Sequence, residues 1–508
     1  MSKILNMTRV LIILSLLIFI SCKKNTVNRP NILFISIDDM NDWTTPLGGS
    51  NQVVTPNLED FRKISVNFSK NYCTSPGCNP SRATMMTGLH TFNSGMYSNY
   101  QDWRMVPKLS KATTLPEIFK QNGYFTAGAG KIYHYSQVHP DSWNDYYPSQ
   151  EQNMPKNYIP ENAPVNMEPF KYMYSAFDWS GIPIEDEETG DYKSVEYISS
   201  LLEQDHDKPF FLACGIYRPH LPWYVPQKYF DLYPIDEIQL PEIIENDTSD
   251  LGERAKELIS RGGNYHKNIT EQGKWKGAIR GYLASISYAD AMIGELLENL
   301  EKSRYAENTI VVIWSDHGWQ LGEKKHWRKF SLWENVIRTL LMIRVPENSS
   351  SLVAGSSDGE TVNSLTSLLD IYPTLIELAG IKNHKQLDGK SLVPLLNEPN
   401  KIIQRPVITT YDFADYSIRW GNWHYINYVD GNEELYNMKD DKEEWYNLSN
   451  EGSYYDTLLF LKNFIPLDPT PLPKESLLDL MEHHIPPVIS REYYFSDERK
   501  NWLERFKN

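Results

Sequence analysis

Cysteine is scarce. The 508 residues hold four, Cys22, Cys73, Cys78 and Cys214, too few for a disulfide scaffold. If Cys22 and Cys78 have chemical roles, only Cys73 and Cys214 remain to pair. Both lie in apolar, strand-like surroundings that suit buried free thiols at least as well. Long apolar runs are also few. Val10–Ile20 follows Lys3 and Arg9, is too short for a stable membrane span, and reads as part of an export signal over residues 1–22. No second stretch is long and apolar enough to cross a membrane. Basic charge is in deficit, with 50 Lys and Arg against 66 Asp and Glu, a net −16. That excludes nucleic acid as the main expected partner, because phosphate binding needs a basic face. An anionic ligand would need a local positive site or a metal. Repeats and low-complexity runs are absent. The chain is 41% hydrophobic and 23% charged, which excludes a mostly disordered protein, and its length predicts one large domain plus a smaller one.

The apolar run ends in Phe19-Ile20-Ser21-Cys22. A small residue followed by Cys at that point resembles a bacterial lipoprotein cleavage box. It implies export and a lipid on Cys22 as the only membrane attachment, in the periplasm or anchored to a membrane of a Gram-negative bacterium. Frequent Asn, Lys and Ile suggest an AT-rich genome such as that of a Bacteroidetes member.

Asn31–Ile37 (NILFISI), Phe210–Ile216 (FFLACGI) and Thr309–Ser315 (TIVVIWS) are continuous apolar runs. Such runs read as strands buried on both faces of a parallel sheet, and Tyr124–Gly128 is a weaker copy. Ile279, Leu283, Ile286, Ile293, Leu297 and Leu300 recur at helical spacing. Leu365–Leu378 reads as another apolar helix, which Pro373 interrupts or bounds. Alternating strands and helices predict an α/β fold. After about residue 410 the character changes. Ser417–Tyr428 alternates and is aromatic, a turn carries Gly431 and Asn432, and Glu434-Leu435-Tyr436 follows, as expected of antiparallel strands. The expected organisation is a leader over 1–22, a main unit over 23–410, and an α+β unit with a wrapping, Pro-rich tail over 411–508.

Chemistry-bearing residues follow the strands directly. Asp38-Asp39 ends the first run and Asp316-His317-Gly318 ends Thr309–Ser315. Ligands of open α/β sheets bind at the carboxyl ends of strands. Three carboxylates and one imidazole on one edge suit a hard cation, Ca²⁺ ahead of Mg²⁺. Lys131 and His134 follow Tyr124–Gly128, and His220 follows Phe210–Ile216, so both groups should reach that edge. Pro80 fits the first position of a helix, which puts Cys78 at a helix N-terminus, near the surface edge of the sheet, where negative charge is stabilised. On that ground alone a thiolate nucleophile and a buried structural cysteine both remain open.

The segment Cys78-Asn79-Pro80-Ser81-Arg82-Ala83-Thr84-Met85-Met86-Thr87-Gly88 closely resembles the sulfatase signature C-x-P-S-R-x-x-x-x-T-G. Asp316-His317-Gly318-Trp319, Gly130-Lys131-Ile132-Tyr133-His134, Arg218-Pro219-His220-Leu221-Pro222, and Leu321-Gly322-Glu323 followed by Lys329 look most like the iduronate-2-sulfatase branch of the type I sulfatases. The resemblance runs from about Pro30 to at least Asn450. It implies an alkaline-phosphatase-like fold, a large central mixed sheet flanked by helices with a smaller C-terminal domain containing an antiparallel sheet. It implies that Cys78 is oxidised to formylglycine by a formylglycine-generating or anaerobic sulfatase-maturating enzyme. It implies one Ca²⁺ on Asp38, Asp39, Asp316, His317 and the modified Cys78.

The implied substrate is a sulfated polysaccharide or oligosaccharide, either algal, such as ulvan or carrageenan, or a glycosaminoglycan uronate 2-O-sulfate. Lys131 and Lys329 would stabilise sulfate charge, His220 would protonate the departing sugar oxygen, His134 would act as base, and Arg82 would hold the nucleophile's oxygen. Trp103, Trp223, Trp319 and Trp327 could stack on sugar rings or fill the core. Two alternatives stand beside this reading. One is a phosphonate or phosphodiester hydrolase of the same superfamily, although those mostly carry Ser or Thr as nucleophile. The other is a non-catalytic lipoprotein that binds sulfated glycans with Cys78 unmodified.

Overall fold

The structure, a computed structural model, describes residues 29–504 apart from 135–136, 153–154, 157–165, 167–176, 262–263, 348–357, 383–386 and 479–487. The leader and Cys22 lie outside the described residues. β1 (Asn31–Ile37), β2 (Val66–Phe68), β3 (Phe125–Gly130), β4 (Asp145–Tyr147), β5 (Phe210–Ile216), β6 (Thr309–Ser315), β7 (Leu341–Arg344) and β8 (Thr361–Val362) form one sheet in the order β8-β2-β7-β6-β1-β5-β3-β4. From β6 through β1, β5 and β3 to β4 the pairing is parallel. β7 is antiparallel to both its neighbours, so the sheet is mixed, as the resemblance implied.

The three apolar runs are the sheet's central strands, with the bounds expected from sequence. They are apolar throughout because both faces are covered. Leu33, Ile35 and Ile37 enter one hydrophobic layer, and Ile32 and Phe34 the other. Each fully buried large side chain of this kind contributes roughly 1.5–3 kcal/mol. β3 is displaced from the expected Tyr124–Gly128 and ends at Gly130, directly before Lys131. Glycine is required opposite it in β5, where a Cβ on Gly215 would come within 2.2 Å of the Lys131 carbonyl carbon.

Four helices matter most for the site: α1 (Cys78–Thr87), α2 (Gly190–Glu203), α3 (Trp275–Lys302) and α4 (Ile371–Leu378). α2 and α3 cover one face of the sheet, and α1 and α4 the other. α3 carries the apolar stripe seen in the sequence, with Leu297 only partly buried. Two expectations are corrected. α1 begins at Cys78 rather than Pro80, and Pro80 still lies in the first turn, where its missing N–H breaks no helical bond. Leu365–Leu378 is not one helix. Thr366–Ser367 pair as a short strand, Leu368–Asp370 form a 3₁₀ turn, and α4 starts at Ile371. Pro373 thereby falls in the first turn of α4 and interrupts nothing.

β9 (Val407–Tyr411), β10 (Asp415–Trp420), β11 (Trp423–Asn427) and β12 (Glu433–Asn437) form an antiparallel sheet in chain order. Its first strand already starts at Val407. Tyr411, Ile426 and Tyr436 from this sheet, with Tyr428 just after β11, pack with Leu332 and Trp333, next to the segment that holds Lys329. The tail crosses residues 92–100, where Thr470 N–H donates to the Phe92 carbonyl and Leu478 N–H to the Tyr100 carbonyl. Cys73 and Cys214 lie in opposite layers of the main sheet, and both are free. No helix among the described residues is long and apolar enough to cross a membrane.

Candidate active site

β1 and β6 are neighbours in register, Ile37 opposite Ser315, so Asp38-Asp39 and Asp316-His317 leave the sheet side by side. Asp316 N–H donates to the Ile37 carbonyl at 3.3 Å and Asp38 N–H to the Ile216 carbonyl at 3.1 Å. Asp39 sits in the left-handed region, φ +60°, a conformation Asp tolerates better than most residues. Its N–H donates to Asp316 Oδ1 at 3.1 Å. Cys78, first residue of α1, brings the positive end of that helix to the same point. Cys78 Sγ is 2.8 Å from Lys329 Nζ, 3.4 Å from His317 Nε2, 3.7 Å from Asp39 Oδ1 and 3.8 Å from Lys131 Nζ. Lys131 Nζ makes a short ion pair with Asp38, and Lys329 Nζ donates to Asp39 Oδ1 at 2.6 Å. His220 Nδ1 donates to the Leu221 carbonyl at 2.7 Å, which directs Nε2 to within 3.7 Å of Asp39 Oδ2. His134 is buried within the field of Lys131 and Lys329. The structure thus brings together all the residues that sequence placed at the site.

The expectation of a site near the surface edge is corrected. Cys78, Asp38, Asp39, Asp316 and His317 have no exposed surface, and His220, the most open member, has its side chain 13% exposed. Arg82 is equally enclosed. Its guanidinium donates to Asp316 Oδ2 at 2.8 Å, to Asp38 Oδ1 at 3.1 Å, to Ser36 Oγ, and to the Lys131 and Ile132 carbonyls. Those bonds fix the acidic residues and the turn that bears Lys131.

Three carboxylates face three cations. Burial pushes the Asp38 carboxyl up, but Lys131, His220 and Arg82 more than offset it and hold it well below the usual range. Burial lifts Asp39 to about 6 against the pull of Lys329. Burial opposes a charge on His317, yet Asp316 and Cys78 carry it up to about 9. Burial, then Lys131 and Lys329, push His134 and His220 well below the ordinary histidine value. For Cys78, burial and Asp38 act upward, and Lys131 and Lys329 outweigh them and lower it.

The donor set fits a hard divalent cation. Asp38, Asp39, Cys78 and His220 offer ligand atoms within 4.8 Å of one another, as do Cys78, Asp316 and His317. Asp39 Oδ2 is buried and accepts no hydrogen bond, an arrangement that is costly unless a cation meets it.

Trp103, Trp223, Trp319 and Trp327 are all buried. They are core, not platforms open to a sugar. Trp103 stacks on Tyr133, at 5.6 Å between ring centroids, beside His134. Sequence reasoning missed Asp191 on α2. Its carboxylate accepts the Tyr217 N–H at 2.7 Å and the Arg218 N–H at 3.1 Å, which anchors the loop carrying His220. It belongs to no motif, so only the fold reveals it.

Comparison with known proteins agrees with this geometry. The family described as Sulfatase matches residues 30–381, and the N-sulphoglucosamine sulphohydrolase C-terminal family matches residues 322–465. A sulfatase of Formosa agariphila is 32% identical over 87% of both chains. Iduronate 2-sulfatase of Mus musculus is 30% identical over 69% of both chains. A solved structure of a protein in complex with its substrate D-glucosamine-2-N,6-O-disulfate superimposes with TM-score 0.67, at 22% identity, over 86% of this chain and 97% of the other. The fold is therefore the alkaline-phosphatase-like one that sulfatases share, and the chain belongs to the sulfatase family of sulfuric ester hydrolases.

Proposed function

We propose that the substrate is the sulfate ester of a sulfated polysaccharide or oligosaccharide, either a glycosaminoglycan, including uronate 2-O-sulfates, or an algal polymer such as ulvan or carrageenan. The observation that carries this is Cys78 Sγ, enclosed at the start of α1 between the Lys131 and Lys329 ammoniums and against Asp39 and His317. Relatives and structural neighbours named for iduronate and glucosamine sulfates support the glycan class.

Asp38, Asp39, Asp316, His317 and the oxidised Cys78 would hold one Ca²⁺. When present, formylglycine supplies a hydrated aldehyde as nucleophile and Ca²⁺ supplies positive charge against the sulfate oxygens. The chain's own residues do the rest. Lys131 and Lys329 fix two ammoniums where the sulfate's negative charge has to be held, and each preorganised donor of this kind contributes on the order of 3 kcal/mol. Arg82 keeps Asp38 and Asp316 in place. His220, anchored through Nδ1, presents Nε2 as the atom that gives a proton to the departing sugar oxygen. An anionic substrate beside the ring offsets the two lysines that disfavour its charge. His134, held neutral, accepts a proton as the site resets. Overall, a sulfate ester and water become an alcohol and hydrogen sulfate. The chain is exported and lipidated at Cys22 in this reading, and a maturating enzyme acts on Cys78.

The test is a panel of defined oligosaccharides from heparin, chondroitin, ulvan and carrageenan, offered to the wild type and to Cys78→Ala. Sulfate release from one polymer class by the wild type alone supports the reading. Release of the alcohol from a phosphonate monoester with no sulfate release from any sulfated glycan overturns it.

A further inference from the structure

The turn that carries Asp39 is held from outside by one hydroxyl. Tyr282 lies on α3, fully buried, and its Oη donates to the Asp39 carbonyl at 2.8 Å while accepting the Asn41 N–H at 2.9 Å. Asn41 continues the brace, with Nδ2 donating to the Trp319 carbonyl at 3.1 Å and Oδ1 accepting the Trp43 N–H at 2.9 Å. The Tyr282 ring touches three loops at once. It stacks on Trp319, with centroids 6.4 Å apart and planes 18° apart, and meets Trp223 edge-on at 5.4 Å and Trp43 at 6.3 Å. Trp319 follows Asp316-His317, Trp223 follows His220, and Trp43 follows Asp38-Asp39.

We propose that Tyr282 is a positioning residue for the cation site, its hydroxyl holding Asp39 in the left-handed backbone conformation that aims the carboxylate. The physical ground is the cost of that conformation. A non-glycine residue at φ +60° is strained and persists only where its surroundings over-determine it. Here the Asp39 carbonyl and the Asn41 amide are both buried and both end on one phenol oxygen. Without it, two backbone groups lose their partner inside the protein, and the turn can satisfy them by rotating Asp39 away. Partners that orient ligands in this way typically set metal affinity by 10–100-fold. The inference rests on the cation reading of the site given above.

Tyr282→Phe keeps the ring and removes the hydroxyl. The control is Tyr233→Phe. Tyr233 Oη also accepts a loop amide, that of Val54 at 2.9 Å, and bonds Ser287 of the same helix at 2.5 Å, away from the acidic turn. Calcium titration of the chelator-stripped, matured enzyme should give a Kd raised about 10–100-fold in Tyr282→Phe and unchanged in Tyr233→Phe, although both lower the melting temperature. Turnover of an aryl sulfate should fall in Tyr282→Phe and hold in Tyr233→Phe. Equal Kd and equal turnover in the two variants overturn the role of Tyr282. A wild type that binds no calcium overturns the cation reading instead, and the turnover comparison then still decides whether Tyr282 positions the site.

Discussion

Lys329 donates to Cys78 Sγ at 2.8 Å across 251 residues of chain. Tyr411 and Tyr436 of the C-terminal sheet pack with Leu332 and Trp333 and so help fix the segment that brings Lys329 in. The same ammonium serves Asp39 at 2.6 Å, so one cation ties Cys78 to the acidic cluster. Lys329→Ala should lower kcat/KM about 10²–10³-fold without unfolding the sheet. Lys329→Arg should not restore it, because a planar fork cannot replace a compact ammonium in a dry pocket. Steady-state kinetics and circular dichroism check both.

Lys131 and His220 should separate by substrate. Lys131 stands beside Cys78 and Asp38, where any sulfate would lie. In the proposed reading His220 Nε2 would serve the bridging oxygen, whose need for a proton depends on the leaving group. Lys131→Ala should damage turnover of every sulfate ester. His220→Ala should reduce kcat/KM on a sugar sulfate far more than on an activated aryl sulfate. Equal losses on both would leave His220 as a binding residue.

Chelation should lower both activity and melting temperature, and calcium should restore both. Asp39 Oδ2 has no hydrogen-bond donor of its own, and the Asp38, Asp39 and Asp316 carboxylates repel one another. At a hundred times Kd a bound ion contributes about 2.7 kcal/mol to stability. Elemental analysis should find one calcium per chain. Two zinc ions per chain would favour a phosphatase-type site.

The C-terminal sheet supplies a pH test remote from the cluster. Glu444 and His424 share a short, fully buried contact, and Glu444 Oε2 accepts the Glu334 N–H at 2.8 Å. Burial, then Glu334, lifts Glu444 from 4.5 to about 8, and burial, then Arg419, lowers His424 to about 3. The folded state therefore keeps a proton on Glu444 that the unfolded chain releases above pH 4.5. That contribution is complete below pH 4.5 and is lost as pH rises to about 8, near 1.4 kcal/mol per pH unit. His424 acts in the opposite sense between about 3 and 6.5. Subtracting Glu444→Gln from the wild type isolates the carboxyl. The stability difference should drift against the wild type from pH 4.5 to 8 and be flat above. A difference independent of pH would show Glu444 ionised in the fold.

Much of this was legible in sequence because the central strands are buried on both faces. β1, β5 and β6 have no polar alternation to blur their ends, and the metal-site candidates begin at the next residue. The start of α1 was misplaced because proline is permitted anywhere in a first turn, so Pro80 does not mark the first position. Leu365–Leu378 was read as one helix because apolar runs look alike whether they are strand, turn or helix once buried. The four tryptophans could not be assigned from sequence, since burial depends on what packs over them. Asp191 and Tyr282 were illegible for a different reason. Each acts on backbone groups of a loop far away in the chain, and such bonds leave no spacing pattern. Tyr282 left only a faint sign, a hydroxyl set between Ile279 and Leu283 on a buried stripe.

The central claim is that Cys78 supplies the nucleophile after oxidation, in a pocket shaped by Lys131, Lys329 and the acidic cluster. The mass of the Cys78 peptide, taken from a preparation that hydrolyses sulfate esters, tests it most directly. The account predicts a peptide in which the thiol is replaced by an aldehyde oxygen, with the aldehyde fraction tracking specific activity across preparations. An intact thiol in fully active enzyme would contradict it.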